Sequence, residues 1–344
     1  MDREQYRSNT DRSIMTRSSS YFLPLCTALT ALVAAGVSLS ARPTDQGPFR
    51  AHTDLVRVPV TVRDSSGQVV LNLSRENFVV REDGRAKTLV AFDPPSAITA
   101  ASTSARQRQH GSFVVLLLDD LVSHPMSTTN IKRIANDFVE HMTDADVMAV
   151  TLLNGGQGTT SRRPADLRAS IQAFQAASKR SNSPDEGAAV HAADARHALD
   201  VISDLSAQLV RVSHPRKVLV FVGSPSLFYP TDIIGKNGER TFSSNWSDAV
   251  QAALKASISV YIVSPTGLTG AVDDGAIDFA VETGGQAFVN TNEFEHVADE
   301  IWDDASMYYL LGYEAPKDGT RKSHSIDVSV NWPVAADVRA RRKR

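Results

Sequence analysis

The feature that most constrains this chain is a series of short, almost purely apolar runs: Phe113–Leu118, Val147–Leu153, Lys217–Val222 and Ile258–Val263. A strand with apolar side chains on both sides of its pleat must be covered on both faces, as in a parallel sheet held between two layers of helices. Helical patterns separate the runs. Ile131, Ile134, Phe138 and Met142 fall on one stripe, helices are readable at Ala165–Ala177 and Ala188–Val210, and Trp246, Val250 and Leu254 mark another. A helix around Ile277–Val281, a short strand at Gln286–Val289 and a helix carrying Phe294, Val297 and Ile301 complete the series. Strand and helix thus alternate across 112–305, which predicts an α/β domain whose mostly parallel sheet has helices on both faces. In such sheets ligands bind at the C-terminal ends of the strands.

The flanks follow a different grammar. Val56, Val58, Val60 and Val62 alternate with Arg57, Pro59, Thr61 and Arg63, the two-residue period of a half-buried strand, and Pro59 favours an edge position. Strands at Phe78–Glu82 and Lys87–Phe92 are joined through Asp83-Gly84, a strong hairpin signal. Beyond Ala305, Tyr308–Tyr313 reads as a strand, and Ile326, Val328, Val330 and Trp332 alternate with polar residues in another. Each flank is too small to hold a core alone. Residues 52–93 and 306–340 are therefore expected to pair into one small antiparallel β domain, with 94–111, rich in Ser, Thr, Ala, Gln and Arg, as a linker.

At the N-terminus, Arg3, Arg7, Arg12 and Arg17 precede an uncharged apolar run, Tyr21–Leu39, with Ser38 and Ser40 placed for cleavage after them. This is the pattern of a secretory signal peptide, here 1–41, and implies a protein of the periplasm, the cell surface or the medium. The run is also long enough for an uncleaved membrane anchor, and a buried helix is a third reading. Cys26, the single cysteine, lies inside the run, so the mature chain is expected to lack disulfides and thiol chemistry. A formal charge of -3 makes no electrostatic case for nucleic acid. The basic run Arg339–Arg344 reads as a solvated tail, and membrane contact is expected only through the N-terminal segment if it stays uncleaved.

The first apolar run ends in Leu118-Asp119-Asp120-Leu121-Val122-Ser123. A carboxylate at the end of a central strand is costly unless paired or metal-bound, which marks Asp119. The segment resembles the first motif of von Willebrand factor A-type (vWA-type) domains, Asp-x-Ser-x-Ser, which holds a divalent cation. The stretches Glu282–Phe288, Tyr308–Tyr313, Arg75–Phe78 and Glu82–Gly84 are similar to the bacterial VWFA-related Acidobacterial domain family, over about 52–340. The resemblance implies a vWA-type, Rossmann-like fold, a metal-ion-dependent adhesion site and a protein partner. The residues depart from the full site: Leu121 replaces the first serine, Ser181–Ala188 offers serines and Asp185 but no Gly-Gly-Thr pattern, and Gly223-Ser224 stand where an aspartate is expected. A hard cation wants near-octahedral oxygen ligands. Asp119 and Ser123, helped by Asp120, are therefore expected to form an eroded site that takes Mg²⁺ or Mn²⁺ weakly at most, with no required cofactor. The alternative is that Asp119 caps its own turn.

No catalytic set stands out. His191, Asp194 and His197 share a predicted helix, but the two histidines point apart; Gly223–Ser226 lacks a nucleophile elbow and Gly155–Gly158 does not continue into a phosphate loop. The loop after Val222 carries Leu227, Phe228, Tyr229, Ile233 and Ile234, which read either as partner-binding anchors at the ligand edge or as apolar residues folded back over the sheet. The expected function is a non-enzymatic, exported protein-binding or adhesion-type module. A membrane-anchored structural envelope protein and a hydrolase with an unrecognised site are the alternatives.

Overall fold

The computed structural model describes residues 53–95, 111–155, 158–177, 184–214, 216–228, 241–269, 274–316, 323–333 and 336–344, with the backbone alone at 53, 184–186 and 241–243. The 1–41 leader and most of the 94–111 linker lie outside the described residues. Four strands come first: β1 (Thr53–Arg63), β2 (Phe78–Glu82), β3 (Arg85–Lys87) and β4 (Leu89–Asp93). The middle of the chain runs β5 (Ser112–Leu118), α1 (Thr128–Glu140), β6 (Val147–Leu152), β7 (Thr159–Ser161), α2 (Pro164–Ala173) and α3 (Pro184–Leu209). It continues as β8 (Arg216–Val222), α4 (Thr241–Lys255), β9 (Ile258–Val263), α5 (Asp274–Thr283), β10 (Ala287–Phe288) and α6 (Val297–Ser306). Strands β11 (Tyr309–Pro316), β12 (Ile326–Val330) and β13 (Asp337–Ala340) follow.

The protein is mixed α/β, with a six-stranded, mostly parallel sheet in the order β10-β9-β8-β5-β6-β7 and two antiparallel sheets. Counted within the large sheet alone, this is the doubly wound order 3-2-1-4-5-6. Only β7, at one edge, runs antiparallel to its neighbour. The apolar runs are explained by burial on both faces. Val114, Leu116 and Leu118 of β5 enter the core beneath α1, α2 and α6, whereas Val115 and Leu117 enter the core beneath α3, α4 and α5. Strands β8 and β9 divide their side chains in the same way. Strand β7 is absent from the elements read in the sequence. Three residues are too few to show a period, and their pairing with Met148–Val150 supplies the order.

The motif Thr283-Gly284-Gly285 stops α5. Gly284 has φ +83°, a conformation that side chains rarely adopt, and a Cβ on Gly285 would lie 2.0 Å from the Val260 carbonyl oxygen of β9. Glycine here lets the helix end press against the strand it covers.

The flanks form two small sheets, β13-β1-β11-β4 and β12-β2-β3, which share one core. Strand β1 pairs with β11 from Thr53↔Pro316 to Val60↔Tyr309, so the two flanks meet in one ladder. Val56, Val58, Val60 and Val62 face that core with Phe78, Val80, Leu311 and Tyr313. Tyr309 packs 4.9 Å from Phe78 and is anchored by its hydroxyl, which donates to the Val70 carbonyl at 2.8 Å. Strand β1 is interior only over Val60–Arg63, where β13 pairs it; from Thr53 to Pro59 that side is left without β13, so Pro59, which has no N–H to give, stands on an open edge as its residue type suggests. Two sequence expectations are corrected. Lys87–Phe92 is not one strand, because the chain crosses between sheets there, β3 pairing with β2 and β4 with β11. The basic run 339–344 is not a solvated tail: Arg339 ends in ion pairs with Glu300, Asp304 and Asp337, Lys343 pairs with Glu282, and Arg344 with Glu82.

One carboxylate joins the β layer to the α/β layer. Asp304 of α6 is fully buried. Its Oδ1 accepts from Arg63 of β1 at 2.7 and 3.2 Å, and its Oδ2 accepts from Arg339 of β13 at 2.9 Å and from the Tyr261 hydroxyl of β9 at 3.2 Å. Burial, then the adjacent Asp304 charge, pushes the Tyr261 hydroxyl well above its ordinary range, so it stays a proton donor. Burial works against the Arg339 charge, but Asp304 and Glu300 outweigh it and hold the guanidinium firmly protonated. Removing one member of such a buried set leaves the others uncompensated, at a cost of about 3–5 kcal/mol. Asp304→Asn is accordingly expected to lower the unfolding free energy by that amount in a urea titration. A change within error of zero would show that the network does not hold the layers together.

Candidate functional site

In a doubly wound sheet the crevice opens where strand order reverses, outside the carboxyl ends of the two central strands. Here those strands are β5 and β8. Asp119 follows β5 directly, and Gly223-Ser224 follow β8. The Asp119 amide donates to the Val222 carbonyl at 3.1 Å, which continues the ladder one step past both strands.

The Asp119 carboxylate is fully buried and fully engaged. Oδ1 accepts from the amides of Leu121 and Val122 at 3.0 and 2.8 Å, closing a tight turn. Oδ2 accepts from the Ser123 hydroxyl at 2.7 Å and from the Ser224 amide at 3.0 Å. An ionised carboxylate offers about four lone-pair sites, and four donors fill them. The charge is thus stabilised by backbone and hydroxyl dipoles, and the loops after β5 and β8 are tied to one group. Gly223 makes this possible: a Cβ there would lie 2.2 Å from Asp119 Cβ and 2.9 Å from its Oδ2. An aspartate at position 223 would collide with Asp119.

Asp119 and Ser123 therefore meet at the end of the central strand, but Asp120 does not join them. Its Oδ1 accepts from the Asn154 amide at 2.8 Å and holds the loop after β6. Among the described residues no group of three or more His, Cys, Asp or Glu side chains is placed to hold a metal ion. Ser181–Ser183 and the Asp185 side chain lie outside the described residues. Among the described residues the donors at this turn do not make the oxygen cage of a hard divalent cation, because the Asp119 carboxylate already accepts four protein hydrogen bonds.

The sequence reading missed a chain of hydroxyls beside this turn. Ser224 Oγ lies 2.8 Å from Ser226 Oγ, which lies 2.9 Å from His191 Nε2 on α3. His197 turns elsewhere and meets the Leu153 carbonyl at 2.9 Å, so the two histidines serve different elements. Nothing in the local pattern announces the His191–Ser226 pair, since the two residues are 35 positions apart and the fold brings them together. Leu227 and Phe228 belong to the core. Both are fully buried, with the Phe228 ring 5.2 Å from Phe221 and 5.0 Å from Phe279, so neither can anchor a partner. Burial won over exposure because the short helical turn Pro225–Phe228 folds the chain back onto the sheet. Tyr229, Ile233 and Ile234 lie outside the described residues.

The chain matches no known protein-family model and no curated protein. If Asp119 is a structural hub, Asp119→Ala takes the acceptor from the amides of Leu121, Val122 and Ser224, one buried and two half-buried, each worth up to about 1–3 kcal/mol. Both Asp119→Ala and Gly223→Ala are expected to melt well below the parent chain in circular dichroism, with or without added metal. Parent-like melting of Asp119→Ala would show that its hydrogen bonds are not structural.

Proposed function

We propose that this chain is an exported protein-binding module built on a vWA-type domain of the VWFA-related kind, in which the metal-ion-dependent adhesion site has become a metal-free structural turn. The observation that carries the reading is the saturation of the Asp119 carboxylate by four protein donors. The doubly wound strand order supports the fold assignment, and the basic, apolar leader read from the sequence supports export. On this reading the module acts by presenting a fixed surface and requires no cofactor. Its protein partner is engaged without a shared metal ligand. A ligand at 100 times its dissociation constant stabilises the folded state by about 2.7 kcal/mol. Millimolar Mg²⁺ or Mn²⁺ is therefore expected to leave the melting temperature of the metal-free chain unchanged, and partner retention in a pull-down should survive EDTA. A clear rise that vanishes in Asp119→Ala, or partner release by EDTA, would sink the metal-free reading.

A second reading, hydrolysis, is favoured by the Ser226–His191 contact, since a hydroxyl within 2.9 Å of an imidazole nitrogen is the first requirement of an activated serine. Against it, Ser226 shares its hydroxyl with Ser224 in a half-buried chain, and Gly223-Ser224-Pro225-Ser226 lacks the Gly-x-Ser-x-Gly pattern of a nucleophile elbow. A fluorophosphonate probe is expected to leave the chain unlabelled. Labelling lost in both Ser226→Ala and His191→Ala would reverse the preference.

A further inference from the structure

At the opposite end of the α/β sheet, near the start of β9, a cavity of about 630 Å³ opens between β1, the end of α4 and the C-terminal segment. It exists because β13 pairs with β1 only from Val60 to Arg63, which leaves the Leu55–Arg57 portion of that edge open. Its wall is apolar at Leu55, Val56 and Leu254, and Leu55 is 46% exposed, one of the few large apolar side chains left in water. Four cationic side chains line it, Arg57, Lys255, Arg341 and Arg344, and no carboxylate does. Arg57 and Arg341 also line a smaller recess behind it, with Thr283.

Within this cleft Arg341 stands apart. Its neighbours in the chain are balanced, Arg339 by Asp304 and Glu300 and Lys343 by Glu282, while Arg344 is taken by Glu82. Arg341 Nε is buried and has no hydrogen-bond partner. Burial lowers the proton affinity of its guanidinium; the nearby charges that act on it are the Tyr313 hydroxyl and the like-charged Arg344, not a carboxylate. A buried cation without a counter-charge is a standing cost to the fold. The guanidinium fork matches an oxyanion, and clefts between layers with apolar walls and a few polar groups are the usual places for small ligands.

We propose that this cleft binds a small organic anion, a phosphate or carboxylate carried on an apolar body, with Arg341 as the counter-charge at its depth and Arg57 and Lys255 at its mouth. The apolar body lies against Leu55 and Leu254. The site is independent of the switch-point crevice and of the protein-binding reading, and each can fail without the other.

The test uses the full chain, three probes and constant ionic strength set with sodium chloride: inorganic phosphate, phenyl phosphate and benzoate, read by calorimetry and thermal melting. At least one of the two aromatic anions is expected to bind tenfold or more tightly than inorganic phosphate and to raise the melting temperature. The stronger of the two identifies the headgroup. Arg341→Gln should abolish binding yet melt no lower than the parent without ligand, since it removes an uncompensated charge. Arg57→Gln with Lys255→Gln, both at exposed positions, should weaken binding about tenfold, and Arg168→Gln on the far helix α2 should leave it unchanged. Should Arg341→Gln fail to fold, the exposed pair decides alone. No binding of either aromatic anion at millimolar concentration, or binding undiminished in the cleft variants, overturns the proposal.

Discussion

The buried Asp304 carboxylate is the constraint on which the arrangement of layers depends. Four elements converge on it: α6 carries it, β1 and β13 bring arginines to it, and β9 brings the Tyr261 hydroxyl. A charge taken out of water is tolerated only when its partners are fully supplied, and here both oxygens are engaged. The geometry is selective. Arg63 also donates to the carbonyls of Glu300 and Gly67, so β1 can meet α6 in one register only. Apolar burial drives the two β flanks together; the ionic set fixes where the resulting sandwich sits on the α/β layer.

Asp119 solves the same problem by other means. Asp304 is balanced by full charges, whereas Asp119 is balanced by dipoles, three amides and one hydroxyl. That difference bears on chemistry. Dipoles that converge on a carboxylate from its own turn are fixed by the backbone, and a cation would have to displace them while gaining too few new ligands. The Gly223 contact sharpens the point, because position 223 is sterically closed to any side chain by Asp119 itself.

The parts of the fold readable in the sequence are those where burial leaves a periodic trace. Runs such as Val218–Val222 are apolar at every position because alternate residues face different helix layers, and the valines of β1 alternate because only one face meets the small core. Elements stabilised by remote partners leave no such trace. Strand β13 and the ions of Arg339–Arg344 depend on Glu82, Glu282, Glu300 and Asp304, up to 262 positions away, so a basic run looks like a tail until its partners are placed. One signal was available: Asp304 continues the stripe of Val297 and Ile301, and an acid on the apolar face of a helix asks for a buried cation. Asp119 was visible because its position at a strand end is itself diagnostic. The His191–Ser226 contact was not, since each residue alone resembles ordinary surface chemistry.

The two ends of the large sheet are thus chemically unlike. At the carboxyl end, where a doubly wound sheet ordinarily receives ligands, the buried Asp119 charge is satisfied from within and the apolar residues Leu227 and Phe228 are folded into the core. At the amino end, the C-terminal segment passes beneath β9, and Gly284 leaves room for it: a Cβ there would lie 2.8 Å from the Arg341 amide. That close passage orders Arg341 in a place where no acid meets it. The glycine that ends α5 therefore does two things at once, stopping a helix and admitting a cation at the end of the sheet opposite to its switch point.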